Sequence, residues 1–187
     1  MTIKKSPLIP SRSSSALIVI DFQEKLIPAI FNAGQITVNI EKLLLCSNIL
    51  GVRTFFTEQN PEKLGATAPA IRKLIRQEKP LLKTAFSVRG QTELWEHLSE
   101  HGIEQVIITG IESHVCVMQS ALDLIANGYR VTLVADATGS RFKENYDIAL
   151  ARMRAVGVDI SSTESTIFEL LEDYTYPEFR DILKIIK

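Results

Sequence analysis

The chain has 187 residues, 45% hydrophobic and 23% charged, which suits one globular domain with a sizeable core and excludes a disordered chain. Its 21 Lys and Arg nearly balance its 22 Asp and Glu, for a formal charge of −1; with no basic block, nothing supports nucleic-acid or membrane-surface binding. The longest apolar runs are strand-length, far below the roughly 20 residues of a membrane span.

The opening MTIKKSPLIPSRSSS lacks the continuous apolar stretch of a secretory signal, so residues 1–15 read as a flexible or surface-tied arm before a domain covering 16–187. A mitochondrial address stays open, although the arginine-rich amphipathic pattern for it is missing. Cys46 and Cys116 cannot build a disulfide framework, and the sequence has no Cys-x-x-Cys pair. A reducing, cytoplasmic setting is the expectation.

Taken in order, ALIVID at 16–21 is a continuous apolar run ending in an acid, as in a parallel strand buried on both faces. A helix is expected from Gln35 to Leu50, stopped by Gly51, and a second strand at 52–59 (VRTFFTEQ). The loop NPEKLGATAP, a helix over 68–76, and a third short strand in PLLKTAFS come next. TELWEHLSEHG reads as an amphipathic helix stopped by Gly102, before a strand at 104–110 and the helical segment ESHVCVMQSALDLIANG. YRVTLVAD at 129–136, the helix NYDIALARMRAVG, the short strand VDIS and two terminal helices complete the chain. Strands alternating with helices six times give a doubly wound (Rossmann-like) α/β fold: a six-stranded parallel sheet with helices on both faces.

Ligands of such sheets sit beyond the carboxyl ends of the strands, at the switch in strand order. Asp21 ends the first strand, Lys83 lies on or just past the third, and Cys116 opens the helix after the fourth, so an acid, an amine and a thiol converge on one edge. A thiol with an ordinary pKa of about 8.5 is mostly protonated at neutral pH; a helix N-terminus and a nearby lysine both favour the thiolate. Asp21 can take the thiol proton and return it to a leaving group. Against this stands a buried small hydrophobe for Cys116, a turn-capping acid for Asp21 and a solvated charge for Lys83. Cys46, inside LLLCSNIL, reads as core.

These residues resemble the isochorismatase-like cysteine hydrolases, the family that includes nicotinamidases and N-carbamoylsarcosine amidase. ALIVIDFQEKL is similar to its first-strand motif, PLLKTAFS to its lysine segment and TGIESHVCV to its nucleophile segment. TEQNPEKLG, ALARMR and STES are similar to the branch of isochorismatase domain-containing proteins. The resemblance implies a catalytic triad of Asp21, Lys83 and Cys116, and a cis peptide between Ile111 and Glu112. It also implies an oxyanion hole from the backbone N–H groups of Glu112 and Cys116.

Departures from the named enzymes narrow the chemistry. Nicotinamidases hold a metal with histidines between the second strand and the lysine, whereas the three histidines here are His97, His101 and His114. No cofactor and no active-site metal are therefore expected; the i, i+4 pair His97 and His101 lies on a helix away from the predicted edge. Isochorismatases proper work without a cysteine at the nucleophile position. What remains is hydrolysis of a small amide-like or related carbonyl compound through a thioester. Phe22, Gln23, Glu58, Gln59, Phe86 and His114 are candidate pocket residues, and core packing competes for each. A non-catalytic interaction protein and a thiol-based redox or thioesterase role are the other readings. The apolar residues Phe179, Ile182, Leu183 and Ile186 near the C-terminus pack at home or against a second subunit; family members assemble as homo-oligomers, so a dimer or larger is expected.

Overall fold

The computed structural model describes residues 5–77 and 79–187; the first four residues of the expected arm lie outside them. Six strands, β1 (Ser15–Ile20), β2 (Arg53–Gln59), β3 (Leu81–Lys83), β4 (Gln105–Ile111), β5 (Arg130–Gly139) and β6 (Asp159–Ser161), pair in parallel in the order β3-β2-β1-β4-β5-β6. Order reverses between β1 and β4, so the switch point opens between their carboxyl ends.

The apolar runs are strands because both faces of the sheet are covered. Along β1 and β4, Leu17, Val19, Ile107 and Ile111 face one core while Ala16, Ile18, Ile20, Val106 and Ile108 face the other. The first core lies under α1 (Ala33–Leu50), α7 (Thr163–Leu171) and α8 (Phe179–Ile186). The second lies under α4 (Thr92–Glu100), α5 (Met118–Ala126) and α6 (Lys143–Ala155). Gly51 ends α1 in the left-handed conformation at φ 72°, returning its N–H to Ser47 O.

Several boundaries differ from the sequence reading. NPEKLG carries a one-turn helix, α2 (Pro61–Leu64), and the helix expected over 68–76 is a single turn, α3 (Pro69–Arg72). Proline at the first helical position starts each of them. β5 runs on through Gly139, past a shift in register against β4. The arm from Lys5 onward is tied to the C-terminal region: Lys5 pairs with Glu172 at 2.5 Å, and Arg12 lies over the Tyr176 ring and meets Glu178. Of the terminal apolar residues, Ile182 is fully buried, and Phe179 and Ile186 pack against the same core. They are satisfied at home. Among the described residues no helix is long and apolar enough to cross a membrane.

Candidate active site

The site assembles at the carboxyl edge on both sides of the switch point. Asp21 follows the last residue of β1 with φ at 46°, a backbone region that L residues rarely occupy. Gly110 of β4, at φ 116°, passes so close behind it that a Cβ would stand 2.0 Å from Ile20 O. A tight backbone crossing thus turns Asp21 out of the strand direction and into the crevice. Thr57 secures it from β2: its hydroxyl donates to Asp21 Oδ1 at 2.7 Å and accepts the Asp21 N–H at 3.2 Å.

Lys83, the last residue of β3, reaches across β2 to place Nζ 2.5 Å from Asp21 Oδ2, both side chains being 1% exposed. The ammonium also donates to Phe86 O (2.9 Å), Ala85 O (3.2 Å) and the Gln59 Oε1 (3.4 Å). Asp21 Oδ2 receives no other donor among the described residues, so this ammonium is what compensates its burial.

Cys116 comes from β4 by way of a wide helical turn, Ser113–Val117, that runs directly into α5. Such turns, with an extra residue per loop of helix, recur at functional sites. The Ile111–Glu112 peptide that precedes it is cis. The thiol is buried and sits 3.4 Å from Gln59 Oε1. Burial foremost, then the Asp21 charge, push its pKa from the ordinary 9.0 up to about 12, with Lys83 pulling the other way. The pull toward thiolate expected from the helix start and the lysine is thus outweighed: desolvation and the adjacent carboxylate favour the neutral thiol. Cys46 is pushed to about 12 as well, by burial in the first core.

The pocket candidates divide. Gln59 stands in the cluster itself, its backbone N–H and carbonyl clamped by the buried Gln23 amide at 2.9 and 3.1 Å. Gln23 also donates to Gly65 O at 2.6 Å, so it fastens the loop after β2 and does not face solvent. Glu58 Oε1 accepts the backbone N–H and hydroxyl of Thr67 at 2.7 and 2.8 Å. Phe22 has no exposed surface and belongs to the first core; it is packing, not pocket wall. Phe86 is 52% exposed beside the lysine. His114 Nδ1 lies 3.0 Å from Ser140 Oγ, and Arg141 binds Glu112 Oε2 through its backbone N–H and Nε at 3.0 and 3.1 Å.

Thr57 was not anticipated; its signal is the polar run TEQ that follows Phe55 and Phe56 at the carboxyl end of the strand. Ser140 and Arg141 were missed because the extension of β5 delivers them. A cavity of about 220 Å³ lies alongside the last residues of that strand, between Phe31, Gln35, Asp136, Ser140 and Tyr146; the acid, amine and thiol do not line it. His97 and His101 lie with Glu100 on the outer side of α4, their ligand atoms within 4.8 Å of one another and apart from this site.

Comparison with known proteins matches residues 15–165 to the isochorismatase domain. Isochorismatase domain-containing protein 2 of Danio rerio is 35% identical over 176 residues, 94% of this chain and 88% of that protein. The solved structure of MAR1 ribonuclease from Caenorhabditis elegans superposes with a TM-score of 0.90 at 32% identity, covering 95% of this chain and 91% of that one. The Escherichia coli YcaC product, an octameric hydrolase of unknown specificity, shares the fold at a TM-score of 0.85 and 19% identity, with 97% of each chain covered.

Proposed function

The chain belongs to the isochorismatase family, whose membership supports a hydrolase function, and from that premise we propose a metal-independent cysteine hydrolase of small amide-like carbonyl compounds. The observation that carries this reading is the buried Asp21–Lys83 ion pair at 2.5 Å with the Cys116 thiol against it. A carboxylate beside a neutral thiol offers it a base.

In the proposed cycle, a substrate carbonyl enters beside Cys116. The S–H bond breaks, its proton passes to Asp21, and sulfur bonds to the carbonyl carbon. Negative charge gathering on the carbonyl oxygen is met by the N–H groups of Glu112 and Cys116. Asp21 then gives its proton to the leaving amine as the C–N bond breaks, which leaves a thioester. Water gives up a proton to Asp21, its oxygen attacks the thioester, and the acid leaves as sulfur regains the proton. Lys83, paired with Asp21 at 2.5 Å, holds the carboxylate in place beside the thiol. Phe86 and His114 would border the entering group.

Exposed apolar side chains, among them Phe31, Phe142 and Ile148, support self-association as a homo-oligomer, which light scattering on the purified protein tests. For the chemistry, wild type and Cys116→Ala are screened against small amides. Wild type should turn over a member of the panel and show an acyl adduct on Cys116 by mass spectrometry; folded Cys116→Ala should do neither. Turnover that survives in Cys116→Ala would overturn the proposal.

A further inference from the structure

The Gln59 side-chain amide has one orientation open to it. Its Oε1 faces the Lys83 ammonium, which can only donate, and its Nε2 faces Thr84 O at 3.2 Å, which can only accept. Turning the amide over would set two donors against each other at one end and two acceptors at the other. Oε1 is therefore the atom that Cys116 Sγ meets at 3.4 Å, and the contact is a hydrogen bond only while sulfur carries its proton. The clamp of Gln23 on the Gln59 backbone keeps the amide from withdrawing.

We infer that Gln59 is a positioning residue that latches Cys116 in its protonated form until a substrate carbonyl engages the sulfur. This rests on the cysteine-hydrolase reading above and adds a resting state to it. A proton shared with Oε1 favours the thiol, and the same oxygen dipole opposes a thiolate. Asp21 from β1 and Lys83 from β3 act on the thiol through charge and through side-chain hydrogen bonding, so the carboxylate shares the thiol proton with Oε1. The titratable residues just before it are engaged elsewhere, Glu112 with Arg141 and His114 with Ser140. From α5, Ser120 Oγ donates to Cys116 O, which fixes the backbone that carries the thiol. When sulfur moves onto a substrate carbonyl it leaves Oε1, the S–H bond breaks, and an O–H bond forms on Asp21. Until then the nucleophile is shielded from adventitious electrophiles.

The test is the rate of iodoacetamide alkylation of Cys116 at pH 8.5 in the full-length protein, read by peptide mass spectrometry. The buried Cys46 in the same sample reports any general loosening of the fold. Gln59→Leu removes the acceptor and should react about fivefold faster, the worth of one net hydrogen bond. Gln59→Glu puts a carboxylate on the thiol and should react slower than wild type by at least as much. Equal rates in all three proteins, or two variants that shift in the same direction, would overturn the latch. Asp21→Asn separates this from the parent reading: removing a charge that opposes the thiolate should speed alkylation. If Asp21→Asn changes nothing, the acid–thiol pairing fails; if only the Gln59 variants are silent, the latch alone fails.

Discussion

Replacing Lys83 by methionine removes the ammonium from Asp21 while keeping most of the aliphatic stem. Both side chains are 1% exposed, so water cannot take its place. Asp21 Oδ1 keeps the Thr57 hydroxyl at 2.7 Å, but Oδ2 loses its counter-charge. Removing one member of a buried pair costs about 3–5 kcal/mol, because the other stays behind uncompensated. The carbonyls of Phe86 and Ala85 lose a donor in the same step, and the cost of about 3–5 kcal/mol for removing one partner includes that loss. A total of about 4 kcal/mol is a large share of the roughly 5–15 kcal/mol that holds a domain folded. With a urea slope of about 2 kcal/mol per molar, the midpoint should fall by about 2 M. Asp21→Asn combined with Lys83→Met replaces both charges by neutral groups of similar shape and should recover more than half of the loss. A single variant that costs under about 1 kcal/mol, or a double variant no more stable than the single, would refute an uncompensated carboxylate as the cause.

Because the Cys116 thiol is pushed up to about 12, its alkylation rate should climb with pH without levelling near neutrality; a plateau between pH 7 and 8 would mean a resting thiolate. The raised pKa values of Cys46 and Cys116 also tie stability to pH. A folded-state pKa above the ordinary 9.0 leaves the contribution intact below that value and removes it as pH rises toward 12. Each thiol then contributes up to about 1.4 kcal/mol per pH unit, so Cys46→Ala should flatten the alkaline limb of urea midpoints measured from pH 8 to 11. Gly110→Ala, whose Cβ would stand 2.0 Å from Ile20 O at a φ of 116°, should yield insoluble protein or lose several kcal/mol; a near-normal urea midpoint would show that β1 and β4 can part there. Buried and protonated, Cys116 should form sulfenic acid with peroxide more slowly than free cysteine, and fast dimedone labelling would restore the redox reading.

The sheet was legible because a doubly covered strand is rich in consecutive apolar residues, as ALIVI in β1, FF in β2 and VII in β4 show. Strand ends then placed Asp21, Lys83 and the turn bearing Cys116 on one edge from topology alone. What the residues could not supply was distance. Whether a thiol next to an acid and an amine ionises depends on how much water reaches it and which charge lies nearer. Burial decides that here, and burial of a helix start follows from Val117, Ala121 and Leu124 packing into the second core. The short helices at 61–64 and 69–72 were hard to read for a related reason. A single turn begun by proline carries too few residues for a periodic pattern.

Gln23, Glu58 and Gln59 show the limit most clearly. All three are polar residues at the ends of adjacent strands, and from sequence they were equivalent pocket candidates. Two of them spend their hydrogen-bonding capacity on the backbone of the 59–67 loop, as the Thr67 and Gly65 contacts show. Only Gln59 turns its amide toward the thiol. Its geometry exists because Gln23 grips its backbone and Lys83 and Thr84 fix its amide. A buried carboxylate, the ammonium that compensates it, and an amide whose orientation they dictate are then one unit with the thiol. On the proposed reading of Cys116 as nucleophile and Asp21 as its base, the thiol proton has two acceptors, and sulfur's position chooses between them.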